Sequence, residues 1–172
     1  WHYRCYEFCA DPHDVDCSPA WSPPTPQRSV PATKRGIACK EVDSTDLQSL
    51  TNVVSWGYTW QVTPDRATLA DWESAGIDFI PMAWGAGHVT RDDIDDTPSG
   101  AQALLGFNEP NFPDQANMLP SEAANLWPNL EAEAAEKNIP ILVSPAVNFA
   151  EYNPINWLDQ FFGNCTGCQG DA

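Results

Sequence analysis

The chain has 172 residues, with 24 Asp and Glu against eight Lys and Arg, a formal charge of −16 and a pI near 4.1. So acidic a surface repels phosphate backbones and anionic lipid, which argues against nucleic acid and bare membrane as partners, and no apolar run of 18 residues exists to span a bilayer. Aromatics make up 11%, with eight Trp, so a packed core is expected in a chain of about one domain's length.

The chain opens on Trp1 rather than Met and reads as processed or cut from a longer precursor. Residues 1–17 form a cysteine-rich, acidic arm. Residues 18–34 form a Pro/Ser/Thr-rich linker of polyproline type, with hydroxyls at Ser18, Ser22, Thr25, Ser29 and Thr33 that suit O-glycans or simply an extended spacer. The main domain is set at 35–172.

From Arg35 onward strands and helices alternate. Arg35–Cys39 is a short strand. Ser44 caps a helix through Leu47 and Leu50. The β-branched and aromatic run Val53–Trp60 is a second strand. Pro64 opens a helix with Leu69, Ala70 and Trp72 inward and Gly76 as its stop. Ile77–Trp84 is a third strand, and residues 85–102 are an acidic, Gly-punctuated loop. A fourth strand, Ala103–Phe107, precedes a helix from Pro120 to about Asn138. Pro140–Val147 is a fifth strand and Ile155–Phe162 a further amphipathic helix.

Such alternation with short connections makes a parallel sheet covered by helices. A doubly wound sheet usually carries a Gly-rich phosphate loop after its first strand. Ala38-Cys39-Lys40-Glu41 is not one. The strand ends carry Trp56, Tyr58, Trp60, Trp84, Asn108, Glu109 and Asn148 instead. Indoles beside carboxylates and amides suit a sugar, whose faces stack on rings while amides bond its hydroxyls. Alternating strand residues cannot all face one way, so at least one of Trp56, Trp60 and Trp84 is expected in the core.

The centre of this pattern is Leu104-Leu105-Gly106-Phe107-Asn108-Glu109-Pro110. Leu104, Leu105 and Phe107 read as core, Gly106 admits close backbone approach, and Pro110 ends the ladder. Asn108 and Glu109 then sit at the C-terminal rim of a strand, where α/β barrels place their chemistry. An isolated Asn-Glu-Pro reads first as a surface loop; the neighbouring strand ends favour Glu109 as a proton donor.

Six cysteines, Cys5, Cys9, Cys17, Cys39, Cys165 and Cys168, point to an oxidising compartment and structural disulfides, and their spacing leaves the pairing open. Cys165-Thr166-Gly167-Cys168 has no second C-x-x-C, and His2, His13 and His88 are scattered, so no metal site is expected. Asn164-Cys165-Thr166 is the N-glycosylation sequon.

Several segments occur together in order: Ser55-Trp56-Gly57-Tyr58-Thr59-Trp60, Phe79-Ile80-Pro81-Met82-Ala83-Trp84-Gly85, Leu104 to Pro110, Gln115-Ala116-Asn117-Met118, Leu142-Val143-Ser144-Pro145-Ala146, and Trp157-Leu158-Asp159-Gln160-Phe161 before the Cys165/Cys168 pair. Over residues 34–172 the chain resembles glycoside hydrolase family 128. The resemblance implies a (β/α)8 barrel, of which about the first five β/α units are present. It implies retaining endo-hydrolysis of β-1,3-glucan with Glu109 as general acid/base and Asn108 on the sugar's 2-hydroxyl. No cofactor is implied. A retaining site needs two carboxyls roughly 5 Å apart, one of them neutral so that it can protonate the leaving oxygen.

The resemblance puts the nucleophilic glutamate at the end of the seventh strand, beyond the five strands present. Asp92, Asp93, Asp95 and Asp96 read as solvated loop residues. Glu41 and Asp43 suit only outer subsite contacts, and Glu151 is a distant outsider. Five strands would leave open edges, so a continuing chain, a partner chain or self-association is expected to complete the barrel, with residues 1–34 another cover for an edge. Two functions follow. One is a secreted or cell-wall hydrolase acting on β-glucan polysaccharide. The other is a non-catalytic structural or carbohydrate-binding extracellular glycoprotein that reuses the barrel.

Overall fold

The structure is a computed structural model that describes residues 6–9, 34–89, 94–149, 153–165 and 168, the first four by backbone alone. Cys5, Cys17, the linker hydroxyls Ser18, Ser22, Thr25, Ser29 and Thr33, Asp92, Asp93, Glu151 and the sequon's Thr166 lie outside the described residues, as does the side chain of Cys9. The chain forms two compact units, Trp1–Tyr58 with Asp65–Phe79, and Thr59–Pro64 with Ile80–Ala172.

The first unit holds a four-stranded sheet in chain order: β1 (Tyr6–Cys9), β2 (Arg35–Ala38), β3 (Trp56–Tyr58) and β4 (Asp78–Phe79). β1 runs antiparallel to β2, with Tyr6 opposite Ala38, and the other pairs are parallel. A Cβ on Gly36 would lie 2.2 Å from the Trp56 ring, so the indole crosses β2 only because that position is glycine.

Helix α1 (Ser44–Leu50) is capped by Asp43, not Ser44. The Asp43 carboxylate accepts from the Thr45 and Asp46 amides at 2.8 and 3.0 Å, and Asp46 returns the contact to the Asp43 N–H at 3.1 Å. Asp43 is thus committed to a reciprocal cap. The expected strand at Val53 starts later, at Trp56, because the Val53 and Val54 amides both close onto the Leu50 carbonyl, at 2.9 and 3.2 Å.

Pro64 does not open the next helix. Helix α2 (Leu69–Ala75) starts after Thr68, which makes a capping box with Asp71, and it stops at Gly76 in a left-handed conformation, φ 69°. Leu69 and Ala70 sit in the outward first turn and are exposed, while Trp72 and Ala75 are buried. Trp72 meets Phe79 edge-on at 5.3 Å within a core that includes Ile37, Leu47 and Ile77.

The second unit is built on β5 (Leu104–Leu105) and β6 (Leu142–Val143), which pair in parallel, with Leu104 opposite Leu142. The predicted third strand divides: Asp78–Phe79 is β4 of the first unit, and Met82 makes a single parallel bridge to Leu105. The ladder beyond β5 continues as a backbone staircase. Gly106 N–H donates to Val143 O at 3.0 Å, Ala146 N–H to Phe107 O at 2.9 Å, and Glu109 N–H to Ala146 O at 2.7 Å. Part of the expected 85–102 loop is structured, with a 3-10 turn at Ala86–Val89 and buried Ile94 and Thr97, whereas Asp95 and Asp96 are exposed. Among the described residues no sheet closes on itself.

Two helices cover this unit. In α3 (Pro120–Glu136), Ala123, Ala124, Trp127, Leu130 and Ala134 follow the three-and-four spacing of one buried face. In α4 (Pro154–Asn164), Trp157 and Phe161 are buried one turn apart. Phe161 stacks on Trp157 at 5.6 Å and meets Trp127 edge-on at 5.2 Å, and Trp127 in turn meets Phe107 at 5.9 Å. This aromatic chain leads from the helices to the strand that carries Glu109. Glu133, also on α3, is buried, and desolvation raises its carboxyl above the usual 4.5, against a 3.6 Å contact with Lys137.

Candidate active site

Glu109 follows the β5 ladder with φ +43°, a left-handed conformation uncommon for a side-chain-bearing residue. Its N–H is pinned to Ala146 O, and Pro110 behind it is buried. The backbone therefore leaves the strand abruptly and swings the carboxyl off the ladder. One carboxyl oxygen accepts a hydrogen bond from the Asn148 side chain, Nδ2 to Oε1, at 3.1 Å.

Asn148 is itself held by Asn111. Asn111 Nδ2 donates to Asn148 O at 2.6 Å, and Asn148 N–H donates to Asn111 Oδ1 at 2.9 Å. The two bonds together form a closed carboxamide-to-peptide pair. Asn111 is 7% exposed.

Asn108 is 8% exposed and parallel to Ala146 in an isolated bridge. Its N–H donates to Trp84 O at 2.9 Å, its carbonyl accepts from Ala116 N–H at 3.3 Å, and its Nδ2 donates to Gln115 Oε1 at 3.0 Å. Among the sequence-predicted residues, Glu109, Asn108, Asn148 and the backbone of Trp84 are thus brought together. The Trp84 ring is half-buried and meets His88 edge-on at 6.2 Å.

Trp60, in the same unit, is half-buried with φ 60°. Trp56 and Tyr58 belong to the first unit, where both are half-buried. The expectation that one of Trp56, Trp60 and Trp84 is core is overturned. Among the described residues the buried indoles are Trp72, Trp127 and Trp157, all on helices, whereas Trp56, Trp60 and Trp84 are each half-buried.

Sequence reasoning passed over Asn111 and assigned no role to Gln115. The signal for Asn111 was available: an amide directly after a ladder-ending Pro110 has backbone groups of a neighbouring strand end within reach. Behind the same loop is a cavity of about 310 Å³ lined by Pro110, Asn111, Asn117, Met118, Leu119 and Trp157. The Trp157 indole N–H donates to Met118 O at 3.0 Å along its wall. Among the described residues, no three His, Cys, Asp or Glu side chains are grouped to hold a metal ion.

Glu41, one of the two acidic residues considered for outer contacts, pairs with Arg66 at 3.1 Å on the surface of the first unit. Cys39 is buried in the first unit's core, and Cys165 and Cys168 have Cα atoms 5.3 Å apart, within the range a disulfide spans.

Parallel strands with covering helices, ending in a carboxyl held by an amide beside further amides and an indole, make an α/β glycoside hydrolase core. Residues 36–172 match the family described as glycosyl hydrolase catalytic core, and the chain belongs to it. Its solved likenesses assign it to glycoside hydrolase family 128. A subgroup II endo-β-1,3-glucanase from Sorangium cellulosum is 40% identical, with 79% of this chain and 57% of that one covered and a TM-score of 0.72. A subgroup II endo-β-1,3-glucanase from Pseudomonas viridiflava is 37% identical, with 75% and 52% covered and a TM-score of 0.64. A subgroup I endo-β-1,3-glucanase from Amycolatopsis mediterranei, crystallised with laminaritriose, is 32% identical, with 74% and 49% covered and a TM-score of 0.58. The chain therefore spans about half the length of these enzymes. A comparison with curated proteins found no match.

Proposed function

We propose that this chain carries the acid/base half of a retaining endo-β-1,3-glucan hydrolase. Glu109 protonates the glycosidic oxygen as the bond to the sugar's anomeric carbon breaks. A second carboxylate attacks that carbon from the opposite face and forms a glycosyl-enzyme. Glu109 then takes a proton from the water that hydrolyses it. By family resemblance the second carboxylate is a glutamate ending a seventh strand, in the half of the relatives that this chain does not span. Asn108 bonds the sugar's 2-hydroxyl, Asn148 steadies Glu109, and Trp56, Tyr58, Trp60 and Trp84 offer faces for pyranose rings.

The observation that carries this reading is the Asn148–Glu109 hydrogen bond at 3.1 Å, made at the end of a parallel ladder rather than in a surface loop. The reading extends to a (β/α)8 barrel completed by further sequence or by a partner chain, including a second copy. It also extends to an extracellular or cell-wall setting with a Cys165–Cys168 disulfide, glycans at Asn164 and in the 18–34 linker, and a cysteine-rich arm at 1–17.

The test is laminarin hydrolysis by the full-length protein against Glu109→Gln. The expected loss is on the order of 10²-fold or more, the scale of removing a general acid. Equal activity overturns Glu109's role. No hydrolysis by either protein, with laminarin still bound, turns the reading to the non-catalytic carbohydrate-binding glycoprotein.

A further inference from the structure

We infer that Asn111 is a positioning residue for Glu109, acting through the backbone of Asn148; this rests on the proposed acid/base role of Glu109. The structural reason is a relay of three bonds. Asn111 sits two residues after Glu109, beyond a buried proline, so its own place is fixed by the same strand end. Its carboxamide meets both main-chain groups of Asn148, as donor at 2.6 Å and as acceptor at 2.9 Å. A paired amide and peptide leave little rotation about either bond.

Fixing the Asn148 main chain fixes the origin of its side chain. Its Nδ2 then reaches Glu109 Oε1 at 3.1 Å. Without Asn111 the Asn148 main chain loses both of these bonds, and beyond the backbone staircase, which ends at Glu109 N–H on Ala146 O, the side-chain bond to Glu109 must hold Asn148 against the neighbouring strand end. Asn148 is then less firmly placed while the Glu109 backbone stays pinned to Ala146 O. Displacements of about 1 Å at such a site cost on the order of 10²-fold in rate.

In this relay Asn111 acts on the Glu109 carboxyl through Asn148, so its effect should fall on turnover rather than on substrate affinity. In the full-length protein, Asn111→Ala should lower kcat for laminarin roughly 10- to 10²-fold with KM nearly unchanged. The double variant Asn111→Ala/Asn148→Ala should be no slower than Asn148→Ala alone, because both changes break the same path. Asn111→Asp keeps the acceptor for Asn148 N–H but sets a carboxylate oxygen against Asn148 O where the amide donated, so it should not restore activity.

A second readout does not depend on activity: hydrogen exchange at the Asn148 backbone N–H should speed up in Asn111→Ala. Additive losses in the double variant, unchanged kcat in Asn111→Ala, or unchanged exchange at Asn148 overturns the inference. So does failure of both Asn111 variants to fold, since the residue is then structural. Wild-type activity in Glu109→Gln overturns the acid/base reading instead, and the exchange result still decides whether Asn111 holds Asn148.

Discussion

Asn148 and Glu109 lie 39 residues apart in the chain and meet at 3.1 Å, amide to carboxyl, because parallel strands deliver their ends to one rim. An amide donating to a carboxylate contributes roughly 1.5–3 kcal/mol. Removing it leaves the carboxyl with more freedom at the moment it must give up or take a proton. Asn148→Ala is therefore expected to reduce kcat on laminarin by roughly 10- to 10²-fold, less than Glu109→Gln. Steady-state kinetics of the two variants side by side check the order. A loss in Asn148→Ala equal to that in Glu109→Gln would mean that Asn148 takes part in the chemistry rather than supporting it.

Gly106 is the narrow point of the ladder beneath this site. A Cβ there would lie 2.7 Å from the Val143 carbonyl oxygen and 2.9 Å from the Trp127 ring. The first contact is with backbone that is itself paired, so it cannot swing aside. Gly106→Ala should destabilise the protein by about 1–3 kcal/mol, the usual range for overpacking, and lower activity by shifting Glu109 with its strand. Thermal unfolding checks the first part. An unchanged Tm would show that the strands can part without cost.

Much of this was legible in the chain order of short apolar runs. Leu104 and Phe107 are fully buried as the pattern required, and Asn108 and Glu109 do end the ladder. Leu105 was misjudged, being half-buried beside Val143. Helix starts were misplaced where two cues compete: Asp43 outbids Ser44 because its carboxylate accepts two amides, and Thr68 with Asp71 outweighs Pro64 because a reciprocal cap satisfies two donors at once. Strand lengths shrank for a different reason. The amides of Val53 and Val54 bond back to Leu50, a local tie that residue type alone does not reveal. Asn111 was marked locally by its place after the ladder-ending Pro110, but its partner was not, because nothing local shows which of several amides lies opposite it across 37 residues.

Phe161 is the hub of the second unit's core. It is fully buried and touches Trp157, Trp127 and Phe162. Phe161→Ala should cost about 3–5 kcal/mol, the range for deleting a buried aromatic. Its neighbour Phe162 is 46% exposed and should cost less than about half as much on the same scale. Urea unfolding of the two variants tests the contrast. Equal losses would mean that Phe162 is covered in solution by something beyond the described residues.

Glu133 predicts a pH dependence with a definite sign. Desolvation raises its carboxyl above 4.5; Lys137 opposes this, while Glu136 and Asp95 add to it. Well below pH 4.5 the group is protonated whether the chain is folded or not, and it contributes nothing. As pH rises past 4.5 the unfolded chain releases its proton first, while the folded chain still holds it. Stability therefore falls over that interval, then levels once the folded carboxyl has ionised too. Glu133→Gln keeps the shape and removes the titration. Its unfolding free energy relative to wild type should rise as pH passes above 4.5 and level off once the folded carboxyl has ionised, read from urea midpoints at each pH. A difference that does not change with pH, or one that falls, would mean that the 3.6 Å contact with Lys137 outweighs the burial of the charge.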